Sequence, residues 1–184
     1  MKIGAKIGEG ALAEVFEWGE KSKVIKIAKM KSDNSYLERE YNNHVVMWNL
    51  GLPVPKVYEM IDLDERSGIV YERIFGKTLK ERFFENIMEL DNVEQGQFDL
   101  EVVRMIARLF SKVHLTSSQQ NLKTSQRDFL KKQIDSVHYL DEDEKRLVLQ
   151  KLDGLPQKSN VCHGDLNPNN IIISQNEAIL IDWR

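Results

Sequence analysis

Val161-Cys162-His163-Gly164-Asp165-Leu166-Asn167-Pro168-Asn169-Asn170, followed further on by Leu180-Ile181-Asp182-Trp183, is the stretch on which the reading of this chain turns. Between its two parts, Ile171-Ile172-Ile173 and Ala178-Ile179-Leu180-Ile181 flank Ser174-Gln175-Asn176-Glu177, the pattern of a β-hairpin under an apolar cover. A segment rich in Asp, Asn and Pro before a hairpin can be a plain turn, with His163 a structural histidine. Two acidic motifs at this spacing, one on a loop and one at the end of a strand, seldom coincide by chance, and the spacing is that of a catalytic loop and a metal-binding aspartate.

The residue types fit that chemistry. Phosphoryl transfer needs a carboxylate that orients an attacking hydroxyl and accepts its proton, and Asp165 sits where a rigid loop could present one. Magnesium takes hard oxygen ligands, and a carboxylate with an amide carbonyl leaves coordination positions for water and phosphate oxygens. Asp182 and Asn170 suit that role.

Working outward, the N-terminal part reads as an antiparallel meander: Ala5-Lys6-Ile7, Val15-Phe16-Glu17-Trp18 and Val24-Ile25-Lys26-Ile27, separated by glycine-containing turns. From about Ser35 to Leu50 the period lengthens, with Leu37, Tyr41, Val45 and Trp48 three or four apart, and Gly51-Leu52-Pro53-Val54-Pro55 stops the helix. Two more strands are expected at 56–61 and 69–74, with Asp62 to Gly68 as the turn and Phe75-Gly76 as the exit. Leu79 to Leu152 reads as mainly helical, most clearly where Leu100, Val103, Ile106, Ala107, Phe110, Val113 and His114 mark one face. Neither repeats nor low-complexity segments interrupt the chain.

Bulk properties bound the answer. The 184 residues can bury one core or two small lobes sharing a cleft, and 41% hydrophobic with 30% charged residues is ordinary for a water-soluble globular protein. Twenty-six basic against 29 acidic residues give a net charge of −3, so nothing general favours nucleic acid as partner. No apolar run is long enough to span a bilayer, so no membrane partner is expected. The start lacks a secretory pattern, which leads to the expectation of a cytoplasmic protein. Cys162 is the only cysteine, so neither an intrachain disulfide nor a cysteine-built zinc site can form.

The motif His-Gly-Asp-x-Asn-x-x-Asn followed by Ile-Asp-Trp resembles that of the aminoglycoside phosphotransferase and choline kinase family, which has a protein-kinase-like fold. Protein kinases usually carry arginine where this chain has Gly164, and Phe-Gly where it has Trp183-Arg184. The resemblance implies an α+β, two-lobe architecture. Residues 1–75 would form a nucleotide-binding lobe with a five-stranded antiparallel sheet and one helix. Residues 76–184 would form a mainly helical lobe with a β-hairpin, the catalytic loop and the metal site.

Further site residues follow from the resemblance. Gly8-Glu9-Gly10-Ala11-Leu12-Ala13-Glu14-Val15 would be the glycine loop, with Gly8 and Gly10 letting backbone amides approach phosphates; a dinucleotide-binding fold would instead need a helix directly after the turn. Lys26 on the third strand would hold the α- and β-phosphates, with Glu40 as its partner and Glu38 as the alternative. In Ile69-Val70-Tyr71-Glu72-Arg73-Ile74-Phe75-Gly76, the carbonyl of Glu72 and the amide of Ile74 would read adenine, although an ordinary edge strand would look the same. His163 would brace the loop, and His114 is more often core or capping than catalytic.

The function so implied is ATP-dependent phosphotransfer to a hydroxyl of a small molecule, with ATP and Mg2+ as cofactors and an aminoglycoside-like amino sugar or related alcohol as acceptor. A non-catalytic nucleotide-binding module and a small atypical protein kinase are the alternatives. Relatives continue into further helices where this sequence stops, two residues after Asp182, so the second lobe is expected to be incomplete and its uncovered apolar surface to favour self-association.

Overall fold

The computed structural model describes residues 3–88, 99–117, 125–175 and 177–183. Parts of the stretch expected to be helical (89–98 and 118–124), Asn176 of the hairpin turn and Arg184 lie outside the described residues.

Five strands form an antiparallel sheet in the order β1-β2-β3-β5-β4: β1 (Ile3–Glu9), β2 (Ala13–Trp18), β3 (Glu20–Ala28), β4 (Val57–Leu63) and β5 (Arg66–Glu72). Helix α1 (Asn34–Asn49) crosses between β3 and β4 and packs on β4 and β5. The twofold period of a strand sorts β3 cleanly. Ile25 and Ile27 join Trp18 and Val70 on one face, while Val24 and Ala28 join Leu37, Ile69 and Tyr71 beneath α1. Lys26 therefore points to the α1 face, from the central strand, where it cannot be displaced by fraying of an edge.

The second body holds a three-stranded sheet, β6 (Lys77–Thr78), β7 (Ile171–Ser174) and β8 (Glu177–Leu180), with helices α2 (Leu79–Met88), α3 (Leu100–Leu115), α4 (Gln126–Ser136) and α5 (Glu142–Asp153). The C-terminal hairpin is thus extended by a third strand that the sequence had concealed, since two residues carry no periodicity. A shared core ties the bodies together. Met47 at the end of α1 and Leu52 and Val54 just after it pack with Leu109, Val113, Ile171, Leu180 and Trp183. Each fully buried Leu or Ile here contributes roughly 1.5–3 kcal/mol. The Leu180 amide also donates to the Pro53 carbonyl at 2.9 Å, fixing the end of β8 against the segment that follows α1. Among the described residues, no helix is long and apolar enough to cross a membrane.

Three details differ from the sequence expectation. The β4–β5 turn is two residues, Asp64 and Glu65, both at positive φ (49° and 70°), which suits a tight hairpin turn; without glycine it did not announce itself, and a seven-residue turn was expected. The buried side of α1 is Leu37, Glu40, His44 and Met47, whereas Trp48, assigned to the apolar stripe, is 41% exposed. On α3 the buried residues are Val102, Leu109 and Val113, with Leu100 62% exposed and His114 at the surface. On α3 the expected Val113 is buried and Ile106 and Phe110 pack against the core beside Val102 and Leu109; on α1 the expected Leu37 is buried, but the rest of the stripe is shifted by one residue because two polar side chains find partners inside.

Candidate active site

The site is assembled where α1, β3 and the segment after β8 converge. Helical spacing puts Glu40, His44 and Met47 on one stripe of α1, and the register of β3 and β5 places Lys26 and Tyr71 opposite it. Lys26 Nζ lies 2.8 and 2.6 Å from the two carboxylate oxygens of Glu40 and 2.6 Å from Asp182 Oδ1. Tyr71 Oη donates to Glu40 Oε1 at 3.0 Å, a contact that joins two elements and leaves no trace in the local residue pattern. Glu38, the alternative partner, is exposed. Burial acts against the Lys26 ammonium, but the two carboxylates outweigh it and its pKa is raised. Burial likewise pushes the Glu40 carboxyl up, a shift that Lys26 only partly opposes.

The catalytic-loop motif folds around its own amides. Gly164 takes a φ of +86°, which glycine alone adopts at little cost. Asp165 Oδ1 accepts from Asn167 Nδ2 at 2.9 Å, and its carbonyl accepts from Asn170 Nδ2 at 2.8 Å. Asn167 also caps the short 3-10 turn Pro168–Asn170 by accepting from the Asn169 amide. Proline at the first position of that turn sacrifices no donor. Asn167 was visible in the motif, yet its orienting contact with Asp165 was not assigned from sequence.

Two links bring the halves of the motif together. The Ile181 amide donates to the Asn170 carbonyl at 2.9 Å, continuing the β7–β8 ladder by one step and bringing the chain that carries Asp182 alongside the Pro168–Asn170 turn. His163 then braces the loop from behind. Its Nδ1 accepts from the Asp165 amide at 3.3 Å, which assigns the proton to Nε2, and Nε2 donates to the Ile181 carbonyl at 2.8 Å. Its ring packs on buried Trp183 with centroids 4.7 Å apart, and burial lowers its pKa, so a neutral imidazole is the form that fits. Asp182 itself has φ +63°, a left-handed conformation that Asp tolerates better than most side chains and that is found preferentially at working sites.

A cavity of about 320 Å3 opens at this junction, with Gly10, Lys26, Glu40, Gly164 and Asp182 among its walls. Gly8 pairs with Val15 in the β1–β2 ladder and does not line it. A Cβ at Gly8 would meet Val15 at 3.5 Å and one at Gly10 would meet the Ala13 carbonyl at 3.7 Å, both ordinary contacts, and neither glycine needs a positive φ. The fold itself therefore does not require glycine at either place. Glu72 ends β5 and Ile74 follows it in the link to β6; neither lines this cavity. Asp165 and Asn170 stand behind Gly164, joined to the cavity through the Asn170–Ile181 bond rather than by lining it.

Comparisons with known proteins bear on the family and the fold. A family model described as the phosphotransferase enzyme family matches residues 4–184. No curated protein matches the sequence. Among solved structures, an aminoglycoside-3'-phosphotransferase of type VIII is 22% identical, with a TM-score of 0.61 over 97% of this chain and 68% of the other. A thermostable mutant of aminoglycoside phosphotransferase APH(4)-Ia in ternary complex with AMP-PNP and hygromycin B is 16% identical, with a TM-score of 0.64 over 99% of this chain and 66% of the other. At these identities the likeness establishes the kinase-like fold. The chain spans about two thirds of the length of these structures.

Proposed function

This chain belongs to the phosphotransferase enzyme family, and from that premise we propose that it transfers the γ-phosphoryl group of ATP to a hydroxyl of a small molecule. One observation carries the reading above the others: Lys26 is bridged between Glu40 and Asp182 in a cavity that the turn at residues 10–13 also lines. A lysine so held is a fixed point charge for the α- and β-phosphates, and its second carboxylate sits where a metal-bound nucleotide would need one. Gly10 lines the cavity and packs on nothing closer than an ordinary contact, which supports backbone approach to phosphate there, and Gly8 would serve the same turn from β1. The Glu72 carbonyl and Ile74 amide would read adenine from the link between the two bodies.

Asp165, oriented by Asn167 and Asn170, is the base. In the transfer step the acceptor oxygen bonds to the γ-phosphorus as the bond to the β–γ bridging oxygen breaks. ADP departs with that electron pair, and the hydroxyl proton passes to Asp165. Asp182 supplies a carboxylate and Asn170 an amide oxygen, a hard donor set that suits Mg2+. Among the described residues no group of three or more acidic, His or Cys side chains is placed to hold a metal alone, so phosphate and water oxygens would complete its shell. When bound, the metal would neutralise charge on the β- and γ-phosphates.

The ATP analogue and aminoglycoside in the similar structure support a nucleotide donor and a hydroxylated acceptor; amino sugars, choline-like alcohols, homoserine and related sugars are the candidates. The test is magnesium-dependent ATP binding and turnover with such a panel. Asp165→Ala is expected to bind Mg-ATP normally while losing rate at least 100-fold, and Asp182→Asn to lose metal-dependent affinity. A wild-type protein that binds no nucleotide would refute the reading.

A further inference from the structure

The same cavity is also lined by Tyr36 and Arg39 of α1 and by Gln126 and Phe129 of α4. Arg39 precedes Glu40, so the helix turns its side chain by about 100° from the direction of Lys26. It reaches α4 instead, where its guanidinium carbon lies 3.5 Å from the centroid of the Phe129 ring. Stacking of this kind engages the face of the guanidinium and fixes its orientation, while the five N–H donors lie in the plane and remain for something else.

Among the described residues nothing takes them. Arg73, Arg82, Arg104, Arg127 and Arg146 each reach a carboxylate; Arg39, like Arg66 and Arg108, reaches none, and of these three it is the one that lines the cavity. The cavity's other cation, Lys26, is committed to Glu40 and Asp182. Glu40 and Asp182 exceed Lys26 by one negative charge, and the remaining charged side chain that lines the cavity is the Arg39 guanidinium. The surroundings of Arg39, an aromatic ring, a phenol and an amide, suit the body of an organic molecule better than a triphosphate chain.

We propose that the part of the cavity lined by α1 and α4 is an oxyanion subsite in which Arg39, stacked on Phe129, takes a carboxylate or phosphate of the acceptor. The acceptor is then a hydroxyl compound that carries an anionic group. Assigning the anion to the acceptor rests on the phosphotransferase reading; the oxyanion subsite itself does not.

Inorganic phosphate is the probe, titrated calorimetrically into protein saturated with Mg2+ and AMP-PNP, so that the terminal phosphoryl position is already filled. Phosphate is expected to bind, with affinity at least ten-fold weaker in Arg39→Gln and about three-fold weaker in Phe129→Leu, where the guanidinium keeps its charge but loses its platform. Circular dichroism of each variant checks that it folds. Equal phosphate affinity in wild type and Arg39→Gln overturns the proposal. So does binding to the ADP complex that disappears with AMP-PNP, because Arg39 would then serve the nucleotide. Arg39-dependent phosphate binding by a protein that takes no AMP-PNP would sustain the subsite while refuting phosphotransfer.

Discussion

Lys26 Nζ and Asp182 Oδ1, 156 positions apart in sequence, meet at 2.6 Å. The pair is more than a bridge between strand and loop, because Glu40 sits on the other side of the same ammonium and the three charges sum to −1. A cluster of this kind is expensive to desolvate and is held together by the lysine. Lys26→Met should therefore cost about 3 kcal/mol, since it strands two carboxylates. The double variant Lys26→Met/Glu40→Leu, which replaces the innermost pair by apolar groups, should recover most of that loss. Urea denaturation measures both, and nucleotide titration should show binding lost in each. A single variant as stable as the wild type would show that the cluster is not buried as described.

His44 predicts how stability responds to acid. Its Nε2 donates to the Pro55 carbonyl at 2.6 Å, its Nδ1 is buried without a partner among the described residues, and burial depresses its pKa from 6.5 to about 4. The folded state therefore holds this imidazole neutral while the unfolded state takes up a proton below pH 6.5. Stability from this source is complete above pH 6.5 and is lost as pH falls toward 4, a change of about 3 kcal/mol between pH 7 and pH 4. His44→Gln keeps a donor for Pro55 but does not titrate. Its unfolding free energy should fall with acid less steeply than that of the wild type by about that amount; parallel curves would contradict the assignment.

What could be read from sequence was what is local. Asp165, Asn167 and Asn170 lie within six residues and build their geometry from one turn, so the motif described its own arrangement. Lys26 was legible because a strand alternates and its neighbours are β-branched. The helix faces were not. On α1 hydrophobicity chose Leu37, which is buried, together with Tyr41, Val45 and Trp48, while the structure buries Glu40, His44 and Met47 beside Leu37, because Lys26, Tyr71 and Pro55 satisfy the polar members of that stripe. Such satisfaction depends on residues far away in sequence. The stacking of Arg39 on Phe129, which joins α1 to α4, escaped for the same reason.

Two glycines separate packing from binding. At Gly76 a new Cβ would run into the Ile173 carbonyl and come within 2.9 Å of Ile172 Cγ2, so Gly76→Ala must push β6 away from β7. Overpacking of this sort costs on the order of 1–3 kcal/mol. At Gly10 the nearest atom is an ordinary contact away, and Gly10→Ala should leave stability within about 0.5 kcal/mol. If the turn receives phosphate, however, its nucleotide affinity should drop several-fold. Thermal melts with and without Mg-ATP distinguish the two: Gly76→Ala lowers both melting temperatures equally, whereas Gly10→Ala lowers mainly the increment that nucleotide adds.

Asp182 combines a charge with an unusual backbone, and substitutions can take these apart. At φ +63° an alanine suffers the crowding of its Cβ against the following carbonyl, about 1 kcal/mol, whereas asparagine visits this region more readily. Both changes remove the ion pair with Lys26, and both leave Lys26 with Glu40 as a neutral couple. Asp182→Asn should accordingly be more stable than Asp182→Ala by about 1 kcal/mol, with metal-dependent nucleotide affinity lost to the same extent in the two. Equal stability would mean that the left-handed turn relaxes once the carboxylate is gone, and that the Lys26 contact, rather than the loop, holds Asp182 in that conformation.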